Sequence, residues 1–385
     1  MTWIKKKLGE VLTIERGGSP RPIDKYLTNS PDGINWIKIS DATASDKYIF
    51  ETKEKITKEG LQKTRMVNEG DFILSNSMSF GRPYIMKTSG CIHDGWLVLK
   101  ENGQKIFYTE FLYYLLSSPY VFNQFDYLAA GSTVRNLNIA LVSSVEVPIP
   151  PLPEQQRIVS ILDEAFAAIA KAKTNAEQNL KNAKELFESY LKGVFENGNW
   201  ETRTLNQISE NLDSKRIPIT KNKRKSGDIP YYGASGIVDY VADYLFDEDL
   251  LCVSEDGANL LARTYPIAFP ISGKTWVNNH AHVLKFPNII TQKFVEVYIN
   301  SIRIDDYVSG MAQPKLNQAM LNKIPIPVPL LEEQQAIVRQ LDALRAETQK
   351  LEAVYQKKMD DLEELKKSIL QKAFAGELKT SQEVV

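Results

Sequence analysis

The sequence predicts an α+β chain of mixed character, in which two α/β domains alternate with two long helices. Three observations predict it. The phrase "VPIPPLPEQQRIV" at 147–159 returns as "IPVPLLEEQQAIV" at 326–338. After each copy the chain is free of proline and carries apolar residues three and four apart, the spacing of a long amphipathic helix. Before each copy, short β-branched and aromatic runs are followed by a helix-forming run.

The repeat fixes the order of domains. At an offset of 179, ten of the 17 residues 147–163 are identical to their counterparts: Pro148, Pro150, Leu152, Glu154, Gln155, Gln156, Ile158, Val159, Leu162 and Asp163. The same offset holds upstream, where Gly131 meets Gly310, Leu137 meets Leu316 and Asn138 meets Asn317. A repeat this long points to duplication. The expected boundaries are a globular domain at 1–150, a helix at 151–197, a second domain at 198–329, a second helix at 330–378 and a tail at 379–385.

In the first domain, 36–41, 71–75 and 96–100 read as strands, and 107–126 as helix with a break near Pro119. In the second, 250–254, 265–271 and 281–286 read as strands and 291–307 as helix. The first long helix offers the seam Ile158, Leu162, Ala165, Ile169, Ala172, Ala176, Asn179, Ala183, Leu186 and Tyr190. The second offers Ile337, Leu341, Leu344, Thr348, Leu351, Tyr355, Lys358, Leu362, Leu365 and Ile369. One seam is rich in alanine and the other in leucine, so small meets large if they pair. The alternative is that each helix packs on its own domain. At 1.5 Å per residue each helix is about 60 Å long.

Composition narrows the function. The chain of 385 residues is 43% hydrophobic and 25% charged, with net charge −1. No apolar run approaches the roughly 20 residues of a membrane span. Cys91 and Cys252 cannot build a disulfide framework and suit a reducing cytoplasm. His280 and His282 alone do not close a metal site, so no metal is expected. "AFPISGKT" at 268–275 lacks the first glycine and the following helix of a phosphate loop. No motif marks a catalytic site.

Polar clusters remain as candidate DNA contacts. Ser75, Asn76, Ser77, Ser79 and Arg82 follow a strand and mix small hydroxyls with one guanidinium. Segment 214–225 holds six basic residues and no acid: Lys215, Arg216, Lys221, Lys223, Arg224 and Lys225. Lys274, Asn278 and Asn279 border a strand, and asparagine can read adenine. Arg135 and Lys315 follow the shared glycines. Residues 1–147 carry 18 basic and 16 acidic groups, and 198–329 carry 14 of each. Neither domain has the excess charge of a stand-alone nucleic-acid binder.

Two divergent domains alternating with two similar helices, each opened by Pro-x-Pro and Glu-Gln-Gln, resemble the specificity subunit of type I restriction–modification systems. The resemblance covers essentially the whole chain. Its strongest residues are Pro148, Pro150, Leu152, Glu154, Gln155, Gln156, Ile158 and Val159, with their partners Pro327, Pro329, Leu331, Glu333, Gln334, Gln335, Ile337 and Val338. The resemblance implies two target recognition domains on a pseudo-twofold frame, with the helices paired antiparallel as a spacer. It implies double-stranded DNA as ligand, read as a bipartite asymmetric site. It further implies two methyltransferase subunits docked through Pro148, Pro150, Glu154, Gln155, Gln156 and their counterparts, and restriction/translocase subunits beside them. S-adenosylmethionine, ATP and Mg²⁺ would belong to those partners, with no cofactor and no catalytic residue in this chain. A coiled-coil scaffold that binds other proteins is the alternative reading.

Overall fold

The computed structural model describes residues 3–42, 45–76, 80–130, 136–310 and 312–378. The chain divides into two units, Met1–Ala176 with Lys357–Val385, and Glu177–Gln356. The long helices are Leu152–Asn197 and Leu331–Ala375. Each unit therefore holds one globular part and a stretch of both helices.

In the first unit a central sheet orders its strands Leu12–Arg16, Trp96–Glu101, Phe72–Ser75, Pro83–Met86 and Tyr48–Ile49. Strand side chains alternate between faces, and both faces here are apolar. Phe72, Leu74, Leu97 and Leu99 join helix Thr109–Leu116 and helix Pro119–Ala129 in one core. Ile73, Trp96 and Val98 point the other way, to a second sheet ordered Leu27–Thr28, Glu54–Ile56, Ile34–Ile37, Gly90–Ile92 and Arg65–Val67. The helix expected at 107–126 breaks before Pro119, where Ser118 caps the new helix by accepting from Val121 N–H at 3.3 Å. The strand expected at 36–41 stops at Ile37, and Ile39–Ala42 turns into a short helix.

The second unit repeats this plan with unrelated residues. Its central sheet is Glu210–Asn211, Ala281–Lys285, Leu250–Ser254 and Ala268–Ile271, and its outer sheet is Gly236–Val241, Ile229–Gly233, Lys274–Val277 and Phe246–Asp247. Leu251, Val253 and Leu284 face helix Ile289–Ser301, while Leu250, Cys252 and Val283 face the outer sheet. Both outer sheets contain one parallel pair, Cys91 against Trp36 and Tyr231 against Trp276. Both cysteines are buried among apolar neighbours.

Each core is completed by both long helices. In the first unit Ile158, Val159 and Leu162 from the head of the first helix meet Leu370, Ala373 and Phe374 from the tail of the second. In the second unit Val338 and Ile337 from the head of the second helix share the core with Phe195 from the tail of the first. Phe374 packs edge-on against Phe111 at 5.4 Å, and Phe195 against Phe294 at 5.6 Å. Between the two helices, Lys173 bonds Glu363 at 2.7 Å and Lys366 lies over Phe166 in the first unit. In the second, Lys184 approaches Glu352 and Arg345 lies over Phe187. Within each unit partner numbers fall in one helix as they rise in the other, so the segments run antiparallel.

The seam differs from the sequence spacing in its middle. Ile158, Leu162, Ile169 and Leu341 are buried, and Tyr190, Ile337, Leu344, Tyr355, Leu362 and Ile369 are half-buried. Leu186, Leu351 and Leu365 instead are exposed, as are Asn179 and Lys358. Their neighbours Leu180, Phe187, Glu352 and Met359 are half-buried. The other heptad position stays inward, with Ala176 and Ala183 buried and Ala172 and Thr348 half-buried, so one of the two seam positions shifts by one residue while the other holds.

Two polar ties hold the units internally. Gln155 is fully buried: its Oε1 accepts from Tyr108 N–H at 2.7 Å, and its Nε2 donates to the Ile106 and Pro150 carbonyls at 2.9 Å. Gln334, its counterpart, donates to Pro329 O at 2.8 Å, while its Oε1 is buried with no hydrogen-bond partner. In the second unit Asp213, Arg216, Glu255 and His282 form a buried ionic knot. His282 Nδ1 lies 2.6 Å from Asp213 Oδ2, and Arg216 donates to Glu255 at 2.7 Å and to Ala281 O at 2.7 Å. Burial alone would raise both carboxyls. For Asp213 the His282 contact outweighs it, for Glu255 the Arg216 hydrogen bond and the His282 charge, and both stay below the ordinary range.

Replacing Gln155 with alanine strands three backbone groups, one buried and two half-buried, and is expected to cost about 3 kcal/mol, against about 1 kcal/mol for Gln334→Ala; urea unfolding of the full chain measures both. The lowered carboxyls give stability that is present above the unfolded values near 4 and is lost as pH falls through the folded ones. The melting temperature is therefore expected to drop steeply below pH ~4. Asp213→Asn should flatten that drop while lowering stability at neutral pH by about 3 kcal/mol.

Candidate nucleic-acid interface and docking surface

In the first unit the structure separates the polar cluster into support and surface. Ser75 ends its strand fully buried, and its Oγ accepts from Arg82 N–H at 3.1 Å, closing a hairpin. Asn76 is buried too, with Nδ2 donating to Asp94 O at 2.8 Å. Neither side chain reaches the surface, so neither meets DNA directly: in a short turn these residue types bond the backbone first. Arg82 is half exposed, paired with Asp46 at 2.9 Å and stacked over Tyr84. Ser77, Ser79 and Arg135 lie outside the described residues.

Two arginines that the sequence reading passed over, Arg16 at the end of its strand and Arg21 on the loop 17–22, converge on Asp94. Arg16 Nε donates to Asp94 O at 3.0 Å, Ser19 Oγ donates to Asp94 Oδ1 at 2.7 Å, and Arg21 approaches Asp94 Oδ2 at 3.5 Å with its side chain almost fully exposed. The Ser19 hydroxyl holds the Asp94 carboxyl below its usual range. Gly17 leaves no room for a Cβ, which would sit 2.1 Å from His93 O. The signal was the "GGSPRP" run, whose glycines and prolines announce a built turn.

In the second unit the six basic residues of 214–225 divide as well. Arg216 is half-buried, with its guanidinium spent on Asp213, Glu255 and the Ala281 carbonyl in the ionic knot. Arg224 bonds Asp239 at 2.8 Å and stacks 4.3 Å above Tyr231. Lys215, Lys221, Lys223 and Lys225 are exposed. Lys274 lies over Tyr244, and Lys315 bonds Glu255 at 3.2 Å. Asn278 is buried and accepts from His280 N–H at 2.8 Å, whereas Asn279 is exposed. His280 faces Asp256 at the surface and His282 is buried. Asp213, Glu255 and His282 bring ligand atoms within 4.8 Å of one another. Arg216 and Lys315 already supply the positive charge among them, so the residues fit an ion-pair knot better than a metal site. The run 268–275 forms two strands around Gly273 rather than a phosphate loop.

At the helix heads, tertiary packing changes which residues of the repeated phrase can meet a partner. Gln155 and Gln334 are buried and act as internal ties, so neither is an exposed docking contact. Pro148, Pro150 and Pro329 are buried and Pro327 half-buried. Glu154 is clasped by Arg157 with two bonds of 2.7 Å, and Glu333 accepts from Trp200 Nε1 at 2.9 Å. Gln156 and Gln335 remain exposed. Beside them stand exposed leucines, Leu152 at one head and Leu330 with Leu331 at the other. Leu152 and Leu331 are one of the ten identical pairs of the repeat.

A family model for the type I restriction modification DNA specificity domain matches residues 1–180 and 197–358. A putative type I restriction enzyme specificity subunit of Haemophilus influenzae is 35% identical over 160 residues, covering 42% of this chain and 41% of that protein. The putative MjaX specificity subunit of Methanocaldococcus jannaschii is 25% identical, over 98% of this chain and 94% of its own. Among solved structures, the HsdS subunit of Thermoanaerobacter tengcongensis aligns with a TM-score of 0.65 at 19% identity, over 98% of this chain and 97% of that one. A chain from a structure addressing assembly of a type I R-M system aligns at 0.77 with 18% identity, over 98% of both chains. Two matched segments filling most of the sequence, on a fold shared from end to end, place this chain in the family of type I restriction–modification specificity subunits.

Proposed function

We propose that this chain is the non-catalytic reader of a type I restriction–modification complex. Each globular part recognises one half of a bipartite, asymmetric double-stranded DNA site, and the paired helices form a coiled coil that sets the unread gap. Two adenine-N6 methyltransferase subunits dock at the two helix heads, and restriction/translocase subunits join through them. S-adenosylmethionine serves the methyltransferase, which flips its target base out of the duplex; ATP and Mg²⁺ serve the nuclease. Such a complex works in the cytoplasm.

The observation that carries this reading is the double repetition. Strand order and helix head both occur twice, while the loops and surfaces between strands differ. Similar heads suit two copies of one partner, and different surfaces suit two different half-sites. Near-zero net charge suits a reader whose partners supply much of the phosphate contact.

A genome-wide N6-methyladenine map, with the chain present and deleted, tests the proposal: one bipartite motif should vanish on deletion, and an unchanged map with the methyltransferase expressed would favour the scaffold reading. Inserting four residues in the middle of both long helices should change the gap and preserve both half-sites. Leu152→Ser and Leu331→Ser should each weaken methyltransferase binding by about tenfold or more at one head, read by titration of the purified subunits; unaltered affinity would move docking away from the leucines.

A further inference from the structure

The two units share a strand order but finish it differently. In the first, strand Glu54–Ile56 is flanked by Ile34–Ile37 on one side and by Leu27–Thr28 on the other. Its counterpart in the second unit, Gly236–Val241, pairs with Ile229–Gly233 and has no second neighbour among the described residues. This bare edge is apolar: Ile237, Val238 and Tyr240 are 48%, 53% and 51% exposed. A protein that keeps such an edge uncovered invites strand pairing unless a ligand occupies it.

Charge beside the edge points to the ligand. Loop 219–225 is tied to the hairpin at three places. Ile219 N–H donates to Tyr231 Oη at 3.0 Å, Arg224 bonds Asp239 at 2.8 Å, and Lys225 O accepts from Ala242 N–H at 3.0 Å. Asp239, the acid of the exposed strand, is thereby neutralised. Lys221, Lys223 and Lys225 are exposed on this loop, and none has an ion pair among the described residues. Gly236, at φ +107°, turns the hairpin in a conformation that side-chain-bearing residues avoid.

We infer that the hairpin Ile229–Val241 is the base-reading ribbon of the second unit, with duplex DNA covering its edge. This rests on the proposed reading of the chain and assigns the part of the second unit that carries sequence choice. The inner strand of the hairpin also pairs with Lys274–Val277, so the outer strand and its Gly236 turn are the part that the major groove, about 12 Å wide, would admit. Ile237, Val238 and Tyr240 present apolar surface to base edges, including thymine methyl groups, and Lys221, Lys223 and Lys225 meet phosphates, which position without selecting sequence.

The test uses the full chain with its methyltransferase in a host without other adenine methylation. Ile237→Thr, Val238→Thr and Tyr240→Ser together should relax or change one half-site and leave the other intact. Lys221→Gln, Lys223→Gln and Lys225→Gln together should keep the motif but lower the methylated fraction. They should also flatten the slope of log affinity against log salt, for a duplex bearing the motif, by up to about 2.7. Two unchanged half-sites in the edge variant overturn the inference. The same result accompanied by loss of the methyltransferase on purification also overturns it and makes the edge a protein surface. Methylation abolished with an unchanged melting temperature and lost duplex binding supports it. If the melting temperature falls, Val238→Thr alone decides, and an unaltered motif there overturns it. A wild-type chain that directs no bipartite motif would instead remove the proposed function itself.

Discussion

Neither globular core is complete without an aromatic residue from the other repeat's helix. Phe374 closes the first core against Phe111, and Phe195 closes the second against Phe294. These phenylalanines sit at matching positions near the ends of their helices, 179 residues apart. A helix head supplied by the domain just before it and a helix tail supplied by the distant repeat must therefore meet in each unit. That requirement enforces antiparallel pairing more strongly than the seam itself, which is partly alanine, lysine and glutamate. Burying a phenylalanine is worth roughly 1.5–3 kcal/mol, whereas an exposed ion pair such as Lys173–Glu363 contributes about 1 kcal/mol or less.

Duplication preserved the frame and let its details diverge. Gln155 and Gln334 are the same residue at the same place in the repeat, yet one makes three hydrogen bonds and the other one. The ionic knot of Asp213, Arg216, Glu255 and His282 belongs to the second unit, and a strand covering the outer-sheet edge belongs to the first. A core needs only apolar volume on the correct face, so different residues satisfy it. A recognition surface needs particular groups at particular places, and divergence there changes what is read.

Much of the chemistry suggested by residue type turns inward. Serine, asparagine and arginine in short turns first satisfy the backbone and buried charges around them, as Ser75, Asn76 and Arg216 do. What is left at the surface includes Arg21 and Arg82 in the first unit, and Lys215, Lys274, Asn279, Lys315 and the lysines beside the bare hairpin in the second. The helix heads follow the same logic, for their repeated glutamines are internal struts and their exposed leucines face out.

The sequence by itself determined the architecture: the repeat, two long helices, strands at Phe72–Ser75, Trp96–Glu101 and Leu250–Ser254, and the helix break at Ser118. Local signals encode all of these, namely spacing, proline and capping. Tertiary structure decided the shared strand order of two dissimilar domains, the shift of the seam past Leu186, Leu351 and Leu365, and the burial of Gln155 and Asn76. Those outcomes depend on which distant segment packs against each residue. A pattern of apolar and polar letters states that a face will be buried, but it does not name the partner that buries it.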